Sequence, residues 1–358
     1  MKVLYKRLKA DLFYRVKPET APLPEAVTLF LTHNCNLRCK MCGQWGDRGV
    51  TKHKDELKRT MDYSQLEKLI AELASFKPNI TLFGGEPLLH QDVIRIVKSI
   101  KESGMHCIMI TNGYLLEKYA EELVQIGIDE INISIDGVGE MHDRIRGIDG
   151  LYDKIYSGIK KVARVRHSKK PLINIQTTIT RYNYEELDRL LPVLDDMGAD
   201  SITFHHLIYL EENDIRETKE KFPDLKAGDW EGFVSDPGID TGKLINALKR
   251  IKELSSKYSF MVNVYPNFNK EEIEKYYKDD AWFPDSYTGR CKSPWICVYV
   301  FPDGELRPCL NFQYSFGNLN ESGFKEIWNG ETAGRFRAQL MKEKKFPVCR
   351  RCTEIFRY

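Results

Sequence analysis

Between residues 26 and 207 the chain alternates six times between a short apolar run and a longer stretch of helical periodicity, and nothing else restricts its fold as much. The short runs, at 26–32, 79–83, 105–110, 128–135, 172–179 and 200–206, are predicted strands. Between them lie predicted helices. Leu66, Leu69, Ile70 and Leu73 recur at helical spacing behind Asp62 and Gln65, a capping-box arrangement. Another helix carries Val93, Val97 and Ile100 and stops at Gly104. Strands joined by helical crossovers pair in parallel with right-handed connections. Six such units curl into an α/β fold, a partial (β/α)6 TIM barrel whose ligands belong at the C-terminal edge of the strands.

Two strands have an unusual interior. In strand four Asn132, Ser134 and Asp136 share one side and Ile131, Ile133 and Ile135 the other; in strand five Asn174, Gln176 and Thr178 oppose Ile173, Ile175 and Ile179. Helices outside the sheet claim the isoleucines, which leaves the polar sets lining the lumen. Parallel barrels normally fill themselves with branched apolar side chains. A polar lumen therefore predicts a chamber for a cofactor and a polar substrate.

The loop after strand one carries Cys35, Cys39 and Cys42, three cysteines within eight residues. Three thiolates in one tight loop hold three corners of an iron–sulfur cubane and leave one iron open. A zinc knuckle completed from elsewhere is the structural alternative. The nine cysteines are odd in number and clustered, which argues for metal binding in a reducing compartment over a disulfide framework. No run reaches the length of a membrane helix and the basic first segment lacks a signal-peptide core, so a cytoplasmic protein with no membrane span is expected. A net charge of +2 gives no footprint for nucleic acid.

The C-x3-C-x2-C loop after the first strand of a partial barrel resembles the signature of the radical SAM superfamily. The resemblance implies a 4Fe-4S cluster that binds S-adenosylmethionine, whose cleavage yields methionine and a 5′-deoxyadenosyl radical that abstracts a substrate hydrogen. Met41, before the third cysteine, stands where the family often has an aromatic residue. Gly84-Gly85-Glu86-Pro87 follows strand two and matches the family's GGE motif, which holds the ammonium of S-adenosylmethionine. By the same resemblance Ser134 contacts the cofactor's carboxylate or ribose, and Gln176 or Thr178 lies near the ribose. Asn112, at the end of strand three, and Asp136 are further candidates for cofactor binding. The stretch His142 to Gly147 resembles the HDxxRG run of the SPASM branch. Its Arg146 would pair with a carboxylate or be solvated at the surface. His205, on the polar side of strand six with Thr203, is a candidate substrate contact or a satisfied structural histidine.

A second cysteine set occupies the tail. Asp303-Gly304 between apolar runs marks a β-hairpin that brings its flanking cysteines together, and Cys349-x2-Cys352 returns to them. This matches the SPASM or Twitch extension and implies an auxiliary 4Fe-4S cluster on Cys291, Cys309, Cys349 and Cys352. A zinc ribbon is the alternative, although ribbons usually present two C-x2-C knuckles and here there is one. Cys297 lies in the hairpin strand, Cys107 mid-strand in strand three. Either is a buried small residue or, in an epimerase, the thiol that returns a hydrogen atom.

The expected organisation is an amphipathic basic helix and linker over 1–25, the radical SAM barrel over 26–207, a linker or lid with helices over 208–288, and a small α+β SPASM/Twitch cluster domain over 289–358. In the first segment Leu4, Leu8, Leu12 and Val16 form an apolar stripe between basic residues. That helix either packs on the barrel with a solvated basic face or docks on a membrane surface or partner. The expected reaction is dehydrogenation or epimerisation of a small polar carbinol. Peptide maturation by crosslinks or thioethers is the alternative, and a zinc-binding interaction protein a remote one. A reducing partner such as flavodoxin or ferredoxin is implied.

Overall fold

The computed structural model describes residues 2–45, 48–51, 58–227, 231–233, 237–279, 282 and 289–357. Strands β1 (Ala26–Phe30), β2 (Asn79–Phe83), β3 (Cys107–Thr111), β4 (Glu130–Ser134), β5 (Leu172–Ile179) and β6 (Ser201–His206) pair in parallel, each with the next, at the six predicted places. The sheet then grows at both sides. β7 (Met261–Tyr265) joins β6, and β8 (Cys297–Val300) joins β1, both in parallel. β9 (Glu305–Arg307) and β10 (Gly317–Asn318) continue antiparallel, giving the order β10-β9-β8-β1-β2-β3-β4-β5-β6-β7. The described outer strands do not pair with each other, so the barrel stays open. The hairpin of the second cysteine set is thus an extension of the barrel sheet, turned at Asp303-Gly304 with Gly304 at φ +84°.

Before the sheet lies α1 (Lys2–Val16); the crossovers carry α2 (Tyr63–Leu73), α3 (Val93–Glu102), α4 (Leu116–Ile126), α5 (Glu140–Arg146), α6 (Leu151–Val165) and α7 (Leu190–Met197). These crossover helices cover the outer face of the sheet, where Ile131, Ile133, Ile173 and Ile175 are fully buried. Their polar neighbours Asn132, Ser134, Asn174 and Gln176 keep partial exposure on the lumen side. Asp62 caps α2 by accepting from the Ser64 backbone N–H at 2.8 Å. The capping box itself does not form. Gln65 donates instead to Asn320 Oδ1 at 2.8 Å, because a segment 255 positions later packs against this turn.

The first helix forms as predicted, but the side it turns inward is different. Ala10 and Tyr14 are buried, Tyr14 edge-on to Trp295 with ring centroids 4.9 Å apart, and Asp11 pairs with Lys292 at 2.6 Å. Leu8, Leu12 and Val16 face out, and the Leu4 side chain lies outside the described residues. A large aromatic surface on Trp295 outcompetes the leucine stripe for the contact. The 208–288 region, expected as a linker or lid with helices, carries α8 (Glu212–Lys221), α9 (Thr241–Ser255), β7 and α10 (Lys270–Lys278). The tail closes with α11 (Phe324–Trp328) and α12 (Glu331–Glu343). Trp328 and Trp295 donate to the carbonyls of Pro22 and Pro18, which ties the tail to the N-terminal linker.

Candidate active site

The cysteine loop leaves β1 and is held from two sides. The Gly85 N–H donates to Thr32 O at 2.7 Å and the Glu86 N–H to Asn34 O at 2.9 Å. Glycine is required here by contact: a Cβ at Gly85 would sit 2.2 Å from Asn34 O, and one at Gly84, whose φ is +141°, 2.5 Å from Thr32 O. From the other side the Lys40 N–H donates to Ile145 O at 2.9 Å, fastening the loop to α5. The three thiols open on one cavity at the C-terminal edge of the strands. Gly84, Gly85, Asn112, Ser134, Arg146 and Thr178 line it with them.

Glu86 does not line the cavity. It is fully buried, and its carboxylate accepts from Thr111 Oγ1 at 2.7 Å, the Asn112 N–H at 2.7 Å and the Leu88 N–H at 3.0 Å. Burial raises its pKa against the pull of those donors. Its work is to fix the turn that presents the two glycines and Asn112, whose side chain lies 3.9 Å from Cys35 Sγ. Arg146, read from sequence as pairing with a carboxylate or solvated, is buried. It donates to Asp136 Oδ2 at 2.6 Å and approaches Cys39 Sγ at 3.8 Å. Burial works against its charge, but Asp136 and Cys39 overcome that and raise its pKa. Asp136 also accepts from the Thr178 N–H at 2.8 Å, so the pair joins β4, β5 and the cysteine loop. Burial pushes the Cys35 thiol up to about 11 and Cys42 to about 12.

Gln176 and His205 lie on the lumen side of β5 and β6, hydrogen-bonded to each other, outside the cavity at the cysteine loop. Burial lowers His205 to about 4, so it is neutral at ordinary pH. Cys107 is fully buried on the face of β3 opposite Ile110, which lines the cavity. Cys297 begins β8, with its sulfur 2.8 Å from Ser293 Oγ.

The tail cysteines converge as the hairpin predicts. Cys291, Cys309, Cys349 and Cys352 line one cavity with Ser293, Phe312, Phe346 and Ile355. Cys297 does not line it. Burial in this apolar setting raises all four thiols, Cys349 to about 11 and Cys352 to about 12. Arg350 pairs with Asp214 of α8, and the Val348 N–H donates to Thr218 Oγ1 at 3.0 Å, so α8 is latched to the final cysteine pair.

Residues 29–194 match the profile of the radical SAM superfamily and 291–353 that of the SPASM iron–sulfur cluster-binding domain. The chain is 32% identical over 335 residues, 89% of its length and 77% of the relative's, to pre-heme d1 synthase of Dinoroseobacter shibae. The chain belongs to the radical SAM superfamily. It is also 26% identical over 341 residues, 91% of its length and 88% of the relative's, to the AdoMet-dependent heme synthase of Methanosarcina barkeri. Among solved structures, Streptococcus suis SuiB bound to S-adenosylmethionine shares the fold, with a TM-score of 0.66 at 14% identity over 93% of this chain and 71% of that one.

Membership in the radical SAM superfamily brings a 4Fe-4S cluster and S-adenosylmethionine, and the SPASM domain brings auxiliary iron–sulfur. The residues fit both groups. Cys35, Cys39 and Cys42 share their cavity with no fourth cysteine, histidine or carboxylate among the described lining, which suits a cluster with one open iron. Four cysteines around the second cavity suit a fully ligated one. Sequence reasoning missed Gln44, Trp45, Phe83 and Phe233 in the radical SAM cavity. Gln44 and Trp45 stand just after the third cysteine and were within reach of a local reading. Phe233 arrives from the 208–288 region and had no local signal.

Proposed function

We propose that this radical SAM enzyme oxidises a C–H bond of a small polar substrate, converting a carbinol to a carbonyl. The observation that carries the reading is the four-cysteine cavity beside the start of β8, the strand that pairs with β1. A cluster held by four thiolates has no corner left for substrate and is suited to electron transfer. When bound, the cofactors supply the electron that cleaves the sulfonium, the radical that removes a hydrogen atom from the carbinol carbon, and the acceptor for the electron that the substrate radical gives up, while the hydroxyl proton leaves to water.

This chain's residues supply position and seclusion. Ser134 and Thr178 present hydroxyls to the cavity from β4 and β5, and Arg146 offers a guanidinium beside Cys39. Gln176 and His205 continue the polar wall along the lumen. Trp45, Phe83 and Phe233 form an apolar rim that limits water. Dehydrogenation is preferred to epimerisation because neither Cys107 nor Cys297 lines the cavity that a returning hydrogen atom would have to reach.

A second reading, modification of a tetrapyrrole, draws on the two relatives named above. A peptide substrate draws only on likeness of fold. Anaerobic turnover with S-adenosylmethionine and a reductant tests the proposal. Cys35→Ala should abolish 5′-deoxyadenosine. Cys349→Ala with Cys352→Ala should retain it and lose the oxidised product. An unchanged yield of oxidised product from the double variant would refute the electron-acceptor role. Stimulation of 5′-deoxyadenosine formation by a porphyrin and not by sugars or cyclitols would favour the second reading.

A further inference from the structure

We propose that α1 docks this enzyme on an anionic membrane surface. Six large apolar side chains stand out as exposed among the described residues, and four belong to one short segment: Leu8 at 61%, Leu12 at 57%, Val16 at 73% and Leu23 at 40%. Leu8, Leu12 and Val16 recur every fourth residue and make a stripe about 12 Å long on one side of the helix. Ala10 and Tyr14, which pack on the body of the protein, follow Leu8 and Leu12 by two positions, about 200° around the axis. The helix therefore carries two apolar sides, and the fold uses one of them. Scattered single hydrophobics need no explanation, but a contiguous stripe on one helix does.

Charge identifies the occupant. Six of the chain's 54 Lys and Arg and one of its 52 Asp and Glu fall in residues 1–17, so this segment carries +5 and the remainder −3. Arg15, which pairs with Asp11 at 2.8 Å, lies about 60° from Leu12 beside the stripe. Arg15 and Lys17 are exposed. An apolar stripe bordered by cations on an otherwise slightly acidic protein suits a surface of anionic headgroups over hydrocarbon. The contact is interfacial: no described helix is long and apolar enough to cross a membrane.

The test is co-sedimentation of the anaerobically purified full chain with phosphatidylcholine vesicles, with and without phosphatidylglycerol. Binding is expected only to the anionic vesicles and should weaken as salt rises. Leu8→Glu with Leu12→Glu should lower partitioning at least about tenfold per exchange. Arg15→Gln with Lys17→Gln should lower it about fivefold per charge. All four positions are exposed, so iron–sulfur content and 5′-deoxyadenosine formation should stay at wild-type level and exclude misfolding as the cause. No binding to either vesicle, equal binding to neutral ones, or binding unaffected by the leucine exchanges would each overturn the proposal. A concentration-dependent dimer removed by the leucine exchanges, without vesicle binding, would assign the stripe to a second copy of the chain and also overturn it.

Discussion

Replacing Gly85 by alanine is the sharpest probe of how the barrel presents its cysteine loop. The added Cβ would lie 2.2 Å from Asn34 O, 2.6 Å from Asn34 C and 2.7 Å from His33 O, all backbone atoms that no rotamer change can move. Relief requires a shift of about 1 Å between the two loops, since nonbonded carbon contacts settle at roughly 3.5 Å. Overpacking of this kind typically costs about 1–3 kcal/mol. The shift would also stretch the Gly85–Thr32 and Glu86–Asn34 hydrogen bonds, each worth about 1 kcal/mol. A total loss of about 3–5 kcal/mol follows. Because Asn34 precedes Cys35, misplacement should also slow 5′-deoxyadenosine formation about 100-fold. Gly127→Ala is the control. Gly127 has φ +79°, but a Cβ added there would meet nothing within 4 Å, so only backbone strain of about 1–2 kcal/mol is expected, with cleavage unchanged. Urea unfolding and anaerobic cleavage assays on both variants decide the matter. Equal stability losses, or a Gly85→Ala enzyme that cleaves normally, would refute the argument that contact and not conformation demands glycine at 85.

Other outcomes follow from the same geometry. Arg146→Met leaves the fully buried Asp136 carboxylate without its cation and should cost about 3–5 kcal/mol in chemical denaturation, while Arg146→Lys should recover part of the loss. Burial pushes Asp129 up, but hydrogen bonds from Lys101, Lys170 and the Cys107 N–H overcome it and hold the carboxyl at about 2. A depressed acid stabilises the fold above its unfolded pKa and loses that contribution as pH falls through the folded one. Asp129→Asn should therefore be less stable by about 2 kcal/mol at neutral pH, with the difference from wild type vanishing between about pH 4 and 2. Burial holds His142 and His206 neutral, both lowered to about 3. Their contribution is present above about pH 6.5 and is lost as pH falls below it, which a pH series of unfolding curves on His206→Gln and wild type would detect. Exchanging Cys349 and Cys352 for alanine should remove about four of about eight irons per chain by metal analysis and leave the S-adenosylmethionine cluster.

What could be read from the sequence was whatever is encoded within a few neighbouring residues. Cys35, Cys39 and Cys42 declare their function by spacing, and Gly84 and Gly85 declare a close approach of backbone. The isoleucine-and-polar alternation of β4 and β5 fixes which side faces the lumen, because a strand's period of two leaves no other choice. The tertiary structure decided matters in which distant segments compete for the same surface. Tyr14 took the contact with Trp295 and left the leucine stripe outside. Gln65 abandoned its capping role for Asn320. Arg146 found Asp136 and Cys39. Phe233 came to the cavity from nearly 200 residues beyond the cysteine loop, and β8 completed the sheet beside β1. Periodicity and local spacing are properties of one segment's own geometry; partner choice depends on the relative free energies of contacts that exist only once the chain has closed on itself.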